Sequence, residues 1–206
     1  FKQIQGFGEY GFPESHAASF ALLVYASCWI KCHEPAIFLA ALLNSQPLGF
    51  YTPSQLVQDA RRHAVEVRAV DVCHSHSDCT LEELHRRPQP AIRLGLRLVS
   101  GLGHASAMRI VAARAQRPFT DAGDLAQRAG LQLHEMKLLA AADALASLSG
   151  HRRQQVWDAA AQHAPPPVLR QARIDERQLS LPAAAEGEDI VWDYACLLYT
   201  SPSPRD

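Results

Sequence analysis

RLVSGLGHASAMRIVAAR, from Arg97 to Arg114, sets in immediate succession a short apolar segment, the tripeptide Gly101, Leu102, Gly103, and a helix with one apolar face. Two glycines around one apolar residue suit a tight hairpin between short helices, because glycine enters positive φ freely and lets a second backbone come close. Leu96 and Val99 precede the turn, Leu102 plugs it, and Ala107, Ile110 and Val111 follow at spacings of three and four that share one helix face. The helix start offers free N–H groups and a positive dipole end, which suits a phosphate. On this reading Gly101, Leu102, Gly103 and His104 form the phosphate-facing turn, and Arg109 and Arg114 face outward beside it. An ordinary glycine-containing turn fits the tripeptide as well, so the flanks must decide.

The next segment repeats the pattern. Asp121 to Arg128 reads as a helix with Leu125 and Ala126 inward, Gly130 breaks it, and a second helix runs from about His134 to Leu145. Two helical pairs, each broken by glycine, suggest a tandem. Charge is asymmetric even though the whole chain has a net charge of only −1. From Ala91 to Arg153 there are nine basic residues (Arg93, Arg97, Arg109, Arg114, Arg117, Arg128, Lys137, Arg152, Arg153) against four acidic (Asp121, Asp124, Glu135, Asp143). That local excess makes this region the expected phosphate-facing surface.

Outward from the hairpins, residues 1–63 read as helices. Ser15 is an N-cap for an apolar helix to about Lys31, Pro35 opens a helix over Ala36 to Asn44, and Thr52 with Pro53 opens another to about His63. The apolar run Ala17 to Ile30 is too short to span a bilayer, which takes about 20 residues, and reads as a buried helix. Val65 to Val72 alternates and is expected to be a strand, as is Ala91 to Leu96, with an irregular connection over Cys73 to Pro90. A last helix over Gly150 to about His163 is stopped by Pro165, Pro166 and Pro167, and the stretch to Asp189 reads as a linker. Ile190 to Tyr194 looks like the first strand of a further domain. The fold class is therefore mainly α with a few short strands.

Length allows one large domain or two small ones, and five irregularly placed cysteines with no cationic leader suit a reducing, intracellular setting. Phe1 opens within what reads as a structured segment, so upstream sequence is expected. Cys196 to Asp206, CLLYTSPSPRD, resembles the conceptual translation of a sequencing adapter and is set aside from fold reasoning.

Several constellations have residue types suited to chemistry. Gly6, Gly8 and Gly11 spell GxGxxG, but only five residues precede them and no acidic residue follows about 20 positions on, so a dinucleotide cradle is not supported. Cys73, His74, His76 and Cys79 crowd one loop, and Cys28, Cys32 and His33 lie on an apolar helix; both sets read as structural cysteines rather than zinc ligands. Asp71, Asp78, Glu82 and Glu83 do not form the strand-borne pair that two-metal nucleotidyl transfer needs. Ser15 and His16 lack an orienting acid and read as a cap beside a surface histidine. No metal ligand and no catalytic residue is assigned.

The block Gly6 to Tyr51, GFGEYGFPESHAASFALLVYASCWIKCHEPAIFLAALLNSQPLGFY, closely resembles the fingers region of bacterial C-family DNA polymerases. Its wording is most similar to the error-prone, damage-inducible branch. The similarity continues through SQLVQDARRH, DCTLE, the glycine hairpin and GEDIVWDY, so it covers essentially Phe1 to Tyr194. One departure is CHSHSD, where the family pattern has a tryptophan just before Asp78 and no second histidine. The resemblance implies a template-directed DNA polymerase acting in translesion synthesis and repair, in the cytoplasm and away from membranes. Its palm aspartates would bind two Mg²⁺ ions in sequence before Phe1, and its partners would be primer-template DNA, deoxynucleoside triphosphates, accessory mutagenesis proteins and a sliding clamp. It implies distal fingers over 1–63, connecting strands over 64–96, and a tandem helix-hairpin-helix domain over 97–163. A linker over 164–189 and the start of an OB-type domain at 190–195 would follow, with 196–206 the adapter-like tail. It places Ser15 and His16 near the incoming nucleotide, and this stretch alone is expected to bind DNA weakly and incorporate no nucleotide. The alternative from another class is a stand-alone, non-enzymatic helix-hairpin-helix DNA-binding module; a third is a structural helical domain.

Overall fold

A computed structural model of the chain describes residues 14–84, 89–161 and 181–197. Gly6, Gly8, Gly11 and most of the linker and tail lie outside the described residues. Helices dominate, and one three-stranded sheet is the only sheet among the described residues.

The N-terminal part holds α1 (Glu14–His33), α2 (Pro35–Asn44) and α3 (Pro53–Arg62). Prolines start α2 and α3, where a missing N–H costs nothing. Thr52 closes a capping box on α3: its hydroxyl accepts from the Gln55 amide at 3.3 Å, and the Gln55 side chain accepts from the Thr52 amide at 3.0 Å. α2 buries Ala36, Leu39, Ala40 and Leu43, and α3 buries Val57 and Ala60. α1 departs from expectation. Ser15 falls inside it rather than capping it, and the helix expected to be buried exposes Phe20, Leu22, Leu23, Val24, Tyr25 and Trp29. The reason is geometric: its apolar residues surround the axis, while neighbouring α2 covers only one side of it.

The sheet contains β1 (Val67–Arg68), β2 (Thr80–Glu82) and β3 (Ala91–Arg93) in the order β1-β3-β2, with β3 parallel to β1 and antiparallel to β2. Both expected strands are shorter than their sequence patterns, and β2 lies inside the segment read as irregular. Val70 and Val72 are buried without joining the ladder; the Val72 amide bonds instead to the Ala144 carbonyl at 2.9 Å. After β3 the chain turns into a 3₁₀ helix, Leu96–Leu98, and enters the hairpins.

Five helices follow: α4 (His104–Gln116), α5 (Ala122–Ala129), α6 (Leu133–Ala141), α7 (Ala146–Ser149) and α8 (Arg152–Ala161). Asp121 caps α5 by accepting from the Asp124 amide at 2.8 Å, and Gly130 ends it at φ 59°. Leu94, Leu96, Leu98, Ile110, Leu125, Met136, Leu139 and Leu145 are fully buried in one core, each worth about 1.5–3 kcal/mol in transfer terms. The core includes Val65, Val70, Val72 and Ile92, so 64–96 packs with the hairpins rather than merely connecting them.

Ile190 to Tyr194 is helical, within α9 (Glu186–Cys196), where a strand was expected. Glu186, Glu188 and Asp189 in its first turn favour the helix dipole, and α9 packs on α6 with Asp193 against Arg152, a tertiary setting that overrides the β preference of Ile190 and Val191. Its end reaches the first hairpin. Leu197 bridges Val99, and the Ser100 amide donates to the Cys196 carbonyl at 3.0 Å.

Candidate nucleic-acid interface

The tripeptide forms the expected turn, but its two glycines do different work. Gly101 sits at φ 80°, a conformation other residues rarely adopt, and a Cβ there would lie 3.3 Å from Leu138 Cδ1. Leu102 is buried, its amide donating to the Val99 carbonyl at 3.2 Å. Gly103 needs no special backbone: it is the N-cap of α4 at φ −69°, ψ 148°, and a Cβ would meet only Ser106 Oγ, at 3.9 Å. It is also a cap without a side chain. The amides of Gly103, His104 and Ala105 have no acceptor among the described residues and surround an open helix start.

The second hairpin follows the same path with a different ending. Gly130 (φ 59°), Leu131 and Gln132 (φ −81°, ψ 159°) repeat the positive-φ, apolar, extended-cap order of Gly101, Leu102 and Gly103. Here the helix closes its own end. Gln132 caps α6, and Glu135 accepts from the Gln132 amide at 2.6 Å. The Glu135 carboxylate also accepts from the Ser106 hydroxyl and from Arg109 Nη2 at 3.2 Å, locking the two hairpins together. The start of the second hairpin's helix is thus met by a carboxylate of its own, whereas the first has no such partner among the described residues.

Arg109 and Arg114 do not both face outward. Arg109 keeps half its side chain in solvent, but Nε donates to the Ala129 carbonyl at 2.8 Å and Nη2 pairs with Glu135, so it staples α4 to the end of α5. Arg114 turns inward and donates from Nη1 to the carbonyls of Val72 at 2.7 Å and Ser75 at 2.8 Å. These buried carbonyls belong to the loop after β1 and have unmet acceptor capacity that a guanidinium can satisfy. The local charge excess is also largely internal. Arg93 meets Glu82, Arg97 meets Asp78, Arg117 and Arg128 share Asp124, Arg152 meets Asp193, and Arg153 meets Glu188. Several of these acids lie outside the window over which charge was counted.

His104, the first residue of α4, is exposed, yet its Nδ1 lies 3.1 Å from the hydroxyl of buried Ser77. Ser77 belongs to the connection over Cys73 to Pro90, expected from the sequence to be irregular. Asn44 and Gly95 help to hold that loop. Asn44 exchanges both side-chain hydrogen bonds with the Cys79 backbone, at 2.8 and 2.9 Å. Gly95 lets the loop backbone pass where a Cβ would lie 2.6 Å from the Ser77 carbonyl and 2.7 Å from the Cys79 amide nitrogen. Neither was singled out from sequence, although glycine in a strand-like run signals close backbone approach.

Burial pulls Glu135 up, but the Gln132 amide, the Ser106 hydroxyl and Arg109 outweigh it and hold the carboxyl below its ordinary value. With the folded value below the unfolded one, the contribution is complete above about pH 5 and is lost as pH falls through the folded value. Glu135→Gln should cost about 1–2 kcal/mol near neutrality. In thermal melts across acidic pH, the gap between wild type and variant should close as pH falls; a constant gap would mean the charge contributes nothing.

The other candidate groups are dispersed. His16 packs edge-on against Phe20 with ring centroids 4.5 Å apart. In the CHSHSD loop, side chains alternate: His74, His76 and Asp78 are exposed, Cys79 is buried, and burial pushes the half-buried Cys73 thiol to about 11. Cys28 and Cys32 are exposed rather than buried. Asp71 accepts from the Cys73 amide and the Ser147 hydroxyl, while Asp78 and Glu82 meet arginines. Among the described residues no three His, Cys, Asp or Glu converge to hold a metal, so the implied magnesium finds no fit there. No helix among them is long and apolar enough to cross a membrane.

Residues 64–155, from just before β1 into α8, match the family described as a helix-hairpin-helix motif. The chain is 57% identical over 201 residues to the error-prone DNA polymerase of Alkalilimnicola ehrlichii, covering 97% of this chain and 19% of that protein. It is 60% identical over 201 residues to that of Aromatoleum aromaticum, covering 96% and 19%. With that of Methylococcus capsulatus it shares 52% over 212 residues, covering 95% and 20%. The chain thus spans about a fifth of the length of the curated relatives it matches. Identity above one half along nearly the whole chain, joined to paired hairpins of one backbone path, means that the chain belongs to the family of error-prone bacterial DNA polymerases.

Proposed function

We propose that this chain is the distal-fingers and duplex-gripping part of an error-prone DNA polymerase that acts in translesion synthesis and repair in the cytoplasm. The first hairpin seats one backbone phosphate of the primer-template duplex on the amides around Gly103, and the second props it from behind. The observation that carries this reading is the contrast between two hairpins of like path, one capped by its own glutamate and one bare. Such a contact positions DNA without reading sequence. Ser15 and His16 lie toward the incoming nucleotide in the intact enzyme. Nucleotide addition and its magnesium belong to the intact enzyme's other residues, as do contacts with accessory mutagenesis proteins and the clamp. This stretch alone incorporates no nucleotide.

Gly103→Asp tests the grip. An aspartate fits the extended N-cap backbone, caps α4 and places its own carboxylate where the phosphate would sit. Duplex affinity, followed by fluorescence anisotropy, should fall about tenfold or more on unrelated sequences, because the new carboxylate takes the amides and repels the phosphate. The melting temperature should hold or rise. Unchanged affinity would sink the hairpin assignment.

A further inference from the structure

We propose that Ser77 fixes His104 as a neutral donor, through Nε2–H, to the phosphate seated on the first hairpin; this rests on the hairpin reading above. Ser77 is 7% exposed, and its hydroxyl has one partner among the described residues, His104 Nδ1 at 3.1 Å. Its carbonyl is already taken by the Arg97 amide at 3.0 Å. If Nδ1 carried the proton, Ser77 would accept it and leave its own buried hydroxyl proton without an acceptor, an unfavourable arrangement. Donation from Ser77 to Nδ1 avoids that, and the remaining ring proton then sits on Nε2.

The placement suits this role. The loop carrying Ser77 is held by Asn44 at Cys79, by Arg97 at Asp78 and by the close passage over Gly95, so the hydroxyl is a fixed post. His104 begins α4, beside the bare amides, and its ring is anchored on one edge while the residue is exposed. Ser77 is a positioning residue and His104 supplies the contact. A neutral donor adds a hydrogen bond without a countercharge, so it strengthens binding without adding to the counterions released.

The test uses the full 206-residue chain. At about pH 8, above the ordinary histidine range, nitrogen NMR of the His104 ring should show Nε2 protonated and Nδ1 bare, and Ser77→Ala should remove that preference. In anisotropy titrations with duplex DNA, His104→Gln, whose amide nitrogen reaches the Nε2 position, should hold affinity within about twofold. His104→Asn and His104→Ala should weaken binding roughly three- to tenfold with an unchanged salt slope. A protonated Nδ1, equal losses in the Gln and Asn variants, or a slope smaller by about 0.9 in His104→Ala would overturn the proposal, the last because it would mark a cation. If Gly103→Asp weakens binding and the His104 variants do not, the grip stands and this inference falls. If Gly103→Asp has no effect, both fall.

Discussion

Gly95→Ala should cost about 3 kcal/mol and lower the melting temperature by roughly 6–12 °C, although it adds a single methyl group at an ordinary backbone angle. That methyl would meet backbone: the carbonyl carbon of Asp78, the Ser77 carbonyl oxygen at 2.6 Å and the Cys79 nitrogen at 2.7 Å. A side chain could swing aside, whereas this loop is tied on every side. The Leu96 and Arg97 amides donate to the His76 and Ser77 carbonyls at 2.9 and 3.0 Å, Ser75 donates to the Leu94 carbonyl at 2.7 Å, and Asn44 holds Cys79. Relief by moving the loop breaks several of these bonds. Gly187→Ala, near the start of α9 with nothing within 4 Å of the new atom, is the matched control and should show no loss. Denaturant titration reads both variants. A Gly95→Ala midpoint equal to wild type would mean the loop retreats freely. Because Ser77 rides on the same loop, any partly folded Gly95 variant should also lose the His104 tautomer preference.

How far the sequence was legible depended on whether a signal was local. The proline starts of α2 and α3, the Thr52 opening of α3 and the Gly130 stop are written within a few residues, and the structure has each where the pattern puts it; Asp121, read as the first residue of α5, is its cap instead. The positive φ at Gly101 was legible for the same reason. What failed was set by distant residues. α1 reads as buried because its composition is apolar, but burial requires neighbours, and composition does not supply them. The Ile190 to Tyr194 segment has strand-like residues, yet Arg152, about 40 positions away, draws Asp193 into a helix. Counting charge over a window treated arginines as free when their acids lay outside it, as Glu82 does for Arg93 and Glu188 for Arg153. The equivalence of the two glycines in the tripeptide failed for a subtler reason. Only backbone angles separate a glycine that must be glycine, Gly101, from one with room for a side chain, Gly103.

Arg114→Met should destabilise the chain by about 2–3 kcal/mol and leave DNA binding unchanged, the opposite of what an outward-facing phosphate contact would do. Its Nη1 ties α4 to two carbonyls of the loop after β1, Val72 and Ser75, both in fully buried residues about 40 positions away. Burial lowers the guanidinium's pKa, and only nearby acidic groups, Cys73 and Asp71, oppose it, which describes a cation committed to the interior rather than to solvent. Methionine keeps the length and apolar character of the stem, so the loss reports the donors rather than a cavity. Once gone, they leave two carbonyls without that partner at a position water reaches poorly. Arg114→Lys should recover part of the stability, since an ammonium can reach a carbonyl but lacks the planar fork. Both variants, assayed well below their melting temperatures, should keep the wild-type slope of log K against log salt. A slope smaller by about 0.9 in Arg114→Met would return Arg114 to the DNA surface, and would mean that the duplex reaches past the hairpin mouth to the loop carrying Val72 and Ser75.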